Sequence, residues 1–259
     1  MSAVTKALVV IPTYNEADSI EEVISRVLAA EPRAEVLVVD DGSPDGTAKL
    51  VADLIGAEPA RLHLLERSAK AGLGAAYRAG FAWGLERGGC DAFVEMDADL
   101  SHPPERLPVL LAGLEDADLV IGSRYVPGGR TVNWSRLREA VSRIGNTYVR
   151  LALRVPIHDC TAGYRAYRRE VLEALPVAEV QSNGYCFQVE MAHRAWQEGF
   201  RVVEVPITFT ERASGVSKMS RQIVAEALWR VTVWSLTGGR RRARARHPDS
   251  AAKQASRGA

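Results

Sequence analysis

Asp97-Ala98-Asp99 closes the apolar run Ala92-Phe93-Val94-Glu95-Met96. Alternate residues of an extended segment project to the same side, so a strand ending this way delivers both carboxylates to one edge of a sheet. Two carboxylates so placed suit a hard cation, Mg2+ or Mn2+, which keeps coordination positions open for substrate phosphates. The chemistry implied is work on a nucleotide diphosphate. In a chain with 32 acidic residues a D-x-D pair also arises as a solvated turn, so the reading depends on its surroundings.

Those surroundings are rich. Two neighbouring carboxylates, Asp40-Asp41, follow the apolar run Val36-Leu37-Val38-Val39, where they can accept hydrogen bonds from a base or from ribose hydroxyls. The following Gly42-Ser43-Pro44-Asp45-Gly46 also reads as a turn leading into a helix cap. Both readings are compatible if Gly and Ser shape the turn while Asp41 faces a ligand. Tyr14 offers a ring face and Glu16 a further acceptor. The cations suited to phosphate are Arg124, Arg130, Arg212 and Lys218, the last two bracketing the small, donor-rich Ala213-Ser214-Gly215-Val216-Ser217. Gly72-Leu73-Gly74 lacks a Walker lysine and the full G-x-G-x-x-G pattern, since Tyr77 takes the third glycine's place. Close packing of a helix explains those glycines better than a phosphate loop does.

Elements able to position these groups alternate through the first half. Strand runs Ala7–Ile11, Val36–Val39, Leu62–Leu65, Ala92–Met96 and Leu119–Ile121 are separated by helical patterns, beginning with Glu16–Ala30. That order predicts an α/β fold, a mostly parallel sheet flanked by helices. Ligands of such sheets bind beyond the carboxyl ends of the strands, where Pro12–Glu16, Asp40–Ser43, Asp97–Asp99 and Gly122–Arg124 would form a polar rim. Trp134–Val155 reads as a basic amphipathic helix with Leu137, Val141, Ile144, Tyr148, Leu151 and Val155 on one stripe. Ser217–Thr237 is a second, Trp-bearing helix. Both predict interfacial helices in the headgroup region of a membrane, although packing of the stripes on the core fits the same pattern.

Net charge is +1, yet residues 1–120 carry 10 basic and 21 acidic side chains while residues 121–259 carry 23 and 11. This division predicts an anionic partner for the second half. No apolar run approaches the ~18–20 residues that span a bilayer, and Met1–Lys6 leaves no room for a signal peptide. Cys90, Cys160 and Cys186 are scattered, which argues for a reducing compartment and against zinc or a disulfide framework. The expectation is a single domain over 1–237, with 1–125 as the nucleotide-binding half and 126–237 facing acceptor and membrane. A basic disordered tail over 238–259 would follow.

Taken together, Ile11-Pro12-Thr13-Tyr14-Asn15-Glu16, Val39 through Thr47, Met96 through Pro104, Gly122-Ser123-Arg124-Tyr125 and Ser217-Lys218 resemble family 2 glycosyltransferases. Within that family the chain most resembles the dolichol- and polyprenol-phosphate mannose synthases, above all the catalytic domain of the actinobacterial polyprenol monophosphomannose synthases. The resemblance implies a GT-A-type fold and inverting transfer from GDP-mannose to a polyprenyl phosphate, with Mg2+ or Mn2+. It implies nucleoside contacts at Pro12, Tyr14, Glu16, Val39 and Asp41, and donor and metal contacts at Asp97, Ala98 and Asp99. Catalytic and phosphate roles fall to Asp99, Arg124, Arg212 and Lys218, with Arg130 a looser match on the acceptor side. Ser101 stands where some relatives carry Gln, and the Q-x-x-R-W motif of processive synthases is missing. A polyprenyl-phosphate glucosyltransferase using UDP-glucose would share these motifs, and a catalytically inactive, membrane-attached nucleotide-binding partner is a second alternative. The expected partners are donor, lipid acceptor, an anionic membrane surface and a possible anchoring protein, with no nucleic acid. The expected location is cytoplasmic, peripheral on the inner membrane face.

Overall fold

Alternate side chains of Ala7–Thr13 (β1) and Ala34–Asp40 (β2) enter two different cores, as the apolar runs Ala7–Ile11 and Val36–Val39 within them require. Val9, Ile11, Val36 and Val38 face one core, while Leu8, Val10, Leu37 and Val39 face the other. The computed structural model describes residues 3–180, 182, 184–211 and 221–237. Between and after these strands come α1 (Ile20–Ala30), α2 (Thr47–Ile55), β3 (Leu62–Glu66), α3 (Leu73–Arg87), β4 (Ala92–Glu95) and, after a 3-10 turn, α4 (Leu107–Gly113). The chain continues through β5 (Leu119–Ser123), β6 (Arg130–Val132), α5 (Arg136–Leu153), β7 (Arg165–Arg168), α6 (Arg169–Ala174), α7 (Tyr185–Gln197), β8 (Val202–Pro206), β9 (Thr208–Thr210) and α8 (Arg221–Thr237).

Seven strands form one sheet in the order β3-β2-β1-β4-β7-β5-β8, and β6 pairs with β9 in a small second sheet. All pairings in the large sheet are parallel except those of β7, which runs antiparallel between β4 and β5. Helices α1, α2 and α4 cover one face, and α3, α5, α6 and α7 supply the core of the other. The α/β fold with a mostly parallel sheet is as expected. The antiparallel strand is not, because Arg165-Ala166-Tyr167-Arg168 has none of the apolar character of a buried strand.

Helix α3 lies close on the sheet because it carries glycine where it crosses β1. A Cβ on Gly80 would stand 2.4 Å from Val10 Cγ1, and one on Gly84 2.4 Å from Leu8 Cδ2. A Cβ on Gly74 would stand 2.7 Å from the Ser182 carbonyl, so that glycine also serves packing.

Helix α5 reverses the usual arrangement. Val149 and Leu153 face the core, whereas Leu137, Ile144 and Leu151 are 74%, 69% and 67% exposed. Helix α8 adds exposed Leu228, Trp229 and Leu236 and buries Val231. Among the described residues no helix is long and apolar enough to cross a membrane. Arg212, Lys218, the first residues expected of the last helix and the tail over 238–259 lie outside the described residues.

Candidate active site

The carboxyl ends of β1, β2, β4 and β5 open on one cavity of about 420 Å3. Pro12, Tyr14, Glu16, Asp41, Asp97, Ala98, Asp99 and Arg124 all line it, so most of the expected rim converges. Val39 does not reach it and is buried in the core with Val10. Arg130 is exposed on β6, where its Nε donates to Thr208 Oγ1 at 3.2 Å.

The neighbouring carboxylates after β2 divide their work. Asp40 accepts from Thr13 Oγ1 (2.8 Å), Ser43 N (2.8 Å) and Ser43 Oγ (2.6 Å), which ties the turn together. Asp41 turns into the cavity, where Arg67 Nη1 (2.8 Å) and Ala71 N (3.2 Å) hold it. Gly42 makes this possible with φ 73°, a value that L residues adopt rarely.

Asp97 and Asp99 are half-buried on a sharp turn. Leu100 follows in the left-handed region at φ 60°, unusual for a leucine, and the Ser101 N–H donates to Asp99 Oδ1 at 3.1 Å. His102 fixes the other end of the turn. Its Nδ1 accepts the Asp97 N–H at 3.1 Å, so a neutral ring carries its proton on Nε2, 3.9 Å from Asp97 Oδ2. The imidazole stacks on Tyr164 and meets Phe209 edge-on. In the sequence His102 is only a near neighbour of the carboxylate pair; its role as the turn's clamp depends on burial.

The donor set fits a hard divalent cation. Two carboxylates line the cavity beside the buried Ser101 Oγ, which has no hydrogen-bond partner. Among the described residues no cluster of three or more His, Cys, Asp or Glu forms a complete cage. Oxygen donors with positions left for substrate suit Mg2+ or Mn2+ better than a softer metal.

Arg124 is not a free surface cation. Its Nε and Nη2 donate to Asp159 at 2.7 and 2.6 Å, and its backbone N–H reaches the same carboxylate. Both side chains are buried. Burial opposes either charge, but each partner more than offsets it, so Asp159 is held below the usual carboxylate range and Arg124 above its own. Arg165 lies beneath the same wall, fully buried. It donates to the carbonyls of Ala162, Gln188 and Cys160, each at 2.7 Å, and so joins the segment after Asp159 to α7.

Behind the carboxylate pair, Glu95 is fully buried, with Oε1 accepting from Tyr167 OH at 3.1 Å and Oε2 unpartnered. Burial pushes its carboxyl up to about 7, against the pull of Arg165. The native state therefore keeps a proton that the unfolded chain releases near 4.5. This contribution to stability is complete below that value and declines as pH rises to about 7. Glu95→Gln, which cannot ionise, is expected to match the native chain near pH 4.5 and exceed it at pH 8 by on the order of 2–3 kcal/mol. Urea unfolding at the two pH values measures the difference, and a constant gap would refute the assignment.

A second, largely apolar cavity of about 120 Å3 adjoins the first between α5, α7 and α8, and Trp134, Val141, Val149 and Val231 are among its walls. Arg124, Arg138, Thr161 and Tyr185 line both cavities and form the boundary between them. Arg138 lies over the Trp134 ring, 4.2 Å from its centroid, and pairs with Glu211. Helical periodicity did not separate Arg138 from the other arginines of its helix. Glu190 accepts from Ser182 Oγ and Arg194 outside the cavity lining.

Comparisons with known proteins show the family and the fold. The chain is 55% identical over 240 residues to polyprenol monophosphomannose synthase of Mycolicibacterium smegmatis, covering 92% of this chain and 90% of that one. It is 53% identical over 231 residues to undecaprenyl-phosphate mannosyltransferase of Micrococcus luteus, covering 89% and 94%. Glucosyl-3-phosphoglycerate synthase from Mycobacterium tuberculosis, solved with Mn2+, UDP and glucosyl-3-phosphoglycerate, shares the fold. Its TM-score is 0.62 at 22% identity, covering 90% of this chain and 79% of that one. The family described as "Glycosyl transferase family 2" matches residues 8–175, a span that runs from the second residue of β1 through β7 and includes the carboxylate pair. The chain belongs to glycosyl transferase family 2.

Proposed function

We propose that this chain transfers mannose from GDP-mannose to a polyprenyl phosphate, with inversion at the anomeric carbon. The observation that carries the reading is the junction of two cavities, one polar and carboxylate-lined, the other apolar, with Arg124 and Arg138 between them. That arrangement suits a phosphate bearing a hydrocarbon chain. Two near-full-length relatives named for mannosyl transfer to such acceptors support it.

In this reading residues 1–125 hold the nucleotide sugar, with Pro12, Tyr14, Glu16 and Asp41 around the nucleoside and Asp97, Ala98 and Asp99 at the diphosphate. An oxygen of the lipid phosphate attacks the anomeric carbon as the bond to the β-phosphate breaks and its electron pair leaves with GDP. A phosphate monoester, with a second pKa near 6, is already largely ionised at neutral pH, so no strong general base is required. Arg124, with Arg212 and Lys218 from the sequence motif, stabilises the charge transferred to the leaving diphosphate. A divalent cation held by Asp97 and Asp99 would act there as a Lewis acid.

The acceptor resides in a membrane, and α5 and α8 present exposed apolar side chains beside Arg136, Arg143 and Arg150. Peripheral binding to the anionic inner face of the cell membrane follows, with or without an anchoring protein. The triple variant Leu137→Ser, Ile144→Ser, Leu151→Ser is expected to fold normally and to bind anionic vesicles at least about 10-fold more weakly. Vesicle co-sedimentation measures this, and undiminished binding would remove α5 from the interface. Titration calorimetry with GDP-mannose and UDP-glucose tests the donor, and the product's one-bond C1–H1 coupling tests inversion. Tighter binding of UDP-glucose would favour glucosyl transfer by the same fold, and a retained α configuration would rule out direct displacement.

A further inference from the structure

Three Lys or Arg side chains line the main cavity among the described residues, and two are already in ion pairs: Arg124 with Asp159 and Arg138 with Glu211. Lys70 is different. Its Nζ lies over the Tyr14 ring, 3.9 Å from the centroid, and among the described residues no carboxylate pairs with it. An aromatic face attracts an ammonium electrostatically and leaves its N–H donors available, as a carboxylate partner would not. Tyr14 thus holds Lys70 in place while the ammonium can still bind an acceptor.

The sheet order says which part of a nucleotide this ammonium would meet. β4 carries the carboxylate pair, and β2 lies two strands away across β1. Neighbouring strands stand 4.7–4.9 Å apart, so the end of β2 is roughly 10 Å along the edge from the pair. That is about the reach from a diphosphate to its base. The opposite direction leads to Arg124, Arg138 and the apolar cavity. Lys70 belongs to the base end, since its neighbour Ala71 donates its N–H to Asp41 at 3.2 Å.

We propose that Lys70 selects the base, its ammonium donating to the O6 and N7 acceptors of guanine while Tyr14 positions it. This rests on the guanine-nucleotide reading above. Guanine presents two adjacent acceptors on that edge, whereas adenine replaces O6 with an amino donor that an ammonium cannot use. Uracil lacks the second ring and N7.

Titration calorimetry of GDP, ADP and UDP against the full chain, Lys70→Met and Lys70→Arg tests the assignment. Lys70 is exposed, so both variants are expected to keep the native unfolding midpoint. Lys70→Met is expected to raise the Kd for GDP about 10-fold or more, with ADP and UDP changed less than about 2-fold, and Lys70→Arg to restore most of the loss. Equal weakening of all three nucleotides would make Lys70 a phosphate contact and overturn the proposal, as would unchanged GDP affinity in Lys70→Met. A native chain that prefers UDP to GDP would instead refute the guanine reading itself, and this assignment with it.

Discussion

Asp99→Ala is expected to lower sugar transfer by at least about 10²–10³-fold while changing unfolding free energy by no more than about 1 kcal/mol. Asp99 is half-buried at the cavity wall, and its Oδ1 accepts the Ser101 N–H. Losing one turn hydrogen bond costs little stability. Losing the charge removes half of the paired carboxylates on which diphosphate binding is proposed to depend. Asp99→Asn separates these effects, because the amide oxygen can still accept from Ser101 while the charge is gone. Its activity should fall nearly as far as that of the alanine variant. Near-native turnover by Asp99→Asn, at unchanged metal concentration, would show that the carboxylate's charge is dispensable.

Asp159→Ala should be the most damaging single change to stability, at about 3–5 kcal/mol. Asp159 is fully buried and receives the Arg124 N–H, Nε and Nη2, while its own N–H donates to Glu204 Oε1 at 2.9 Å. Its removal strands the buried guanidinium among Tyr125, Trp134 and Phe209. Because the Asp159 carboxyl is held low by Arg124, the pair's contribution is present at neutral pH and is lost on acidification through the folded pKa. The double variant Asp159→Ala, Arg124→Met should recover much of the loss, since it no longer buries a lone charge. Chemical denaturation of the two single variants and the double variant measures the coupling. A loss below about 1 kcal/mol in Asp159→Ala would mean that Arg124 finds water on relaxation and that the wall is softer than drawn.

Much of the site was readable because its carboxylates sit where apolar runs stop. Asp41, Asp97 and Asp99 each follow a strand, and parallel topology brings such ends together without further information. What escaped reading was the fate of buried charge. Arg165 and Glu95 look like surface residues in a linear sequence, yet they lie side by side on β7 and β4 with no solvent exposure. Their polarity is what hid β7. Arg124 lines the cavity, but nothing in the sequence shows that it is already paired, because its partner is 35 positions away. Helix α5 shows a different limit: an amphipathic pattern predicts one apolar face but not whether that face meets the core or the outside. Here Val149 and Leu153, off the main stripe, meet the core together with Tyr148 and Val155 from it, while Leu137, Ile144 and Leu151 stay outside. Lys70, His102 and Arg138 likewise depend on neighbours brought in by the fold, Tyr14, Tyr164 and Glu211.

The central claim is transfer of one mannose from a guanine nucleotide to a lipid phosphate at a single carboxylate-lined cavity. Its most direct test is incubation of the full chain, in detergent with Mg2+, with radiolabelled GDP-mannose and a short polyprenyl phosphate. UDP-glucose as alternative donor and Asp99→Ala as control complete the experiment. The account predicts a labelled, acid-labile mannolipid from GDP-mannose, little or no product from UDP-glucose, and none from the control. Product from UDP-glucose alone, or mannolipid formed equally well by Asp99→Ala, would contradict it.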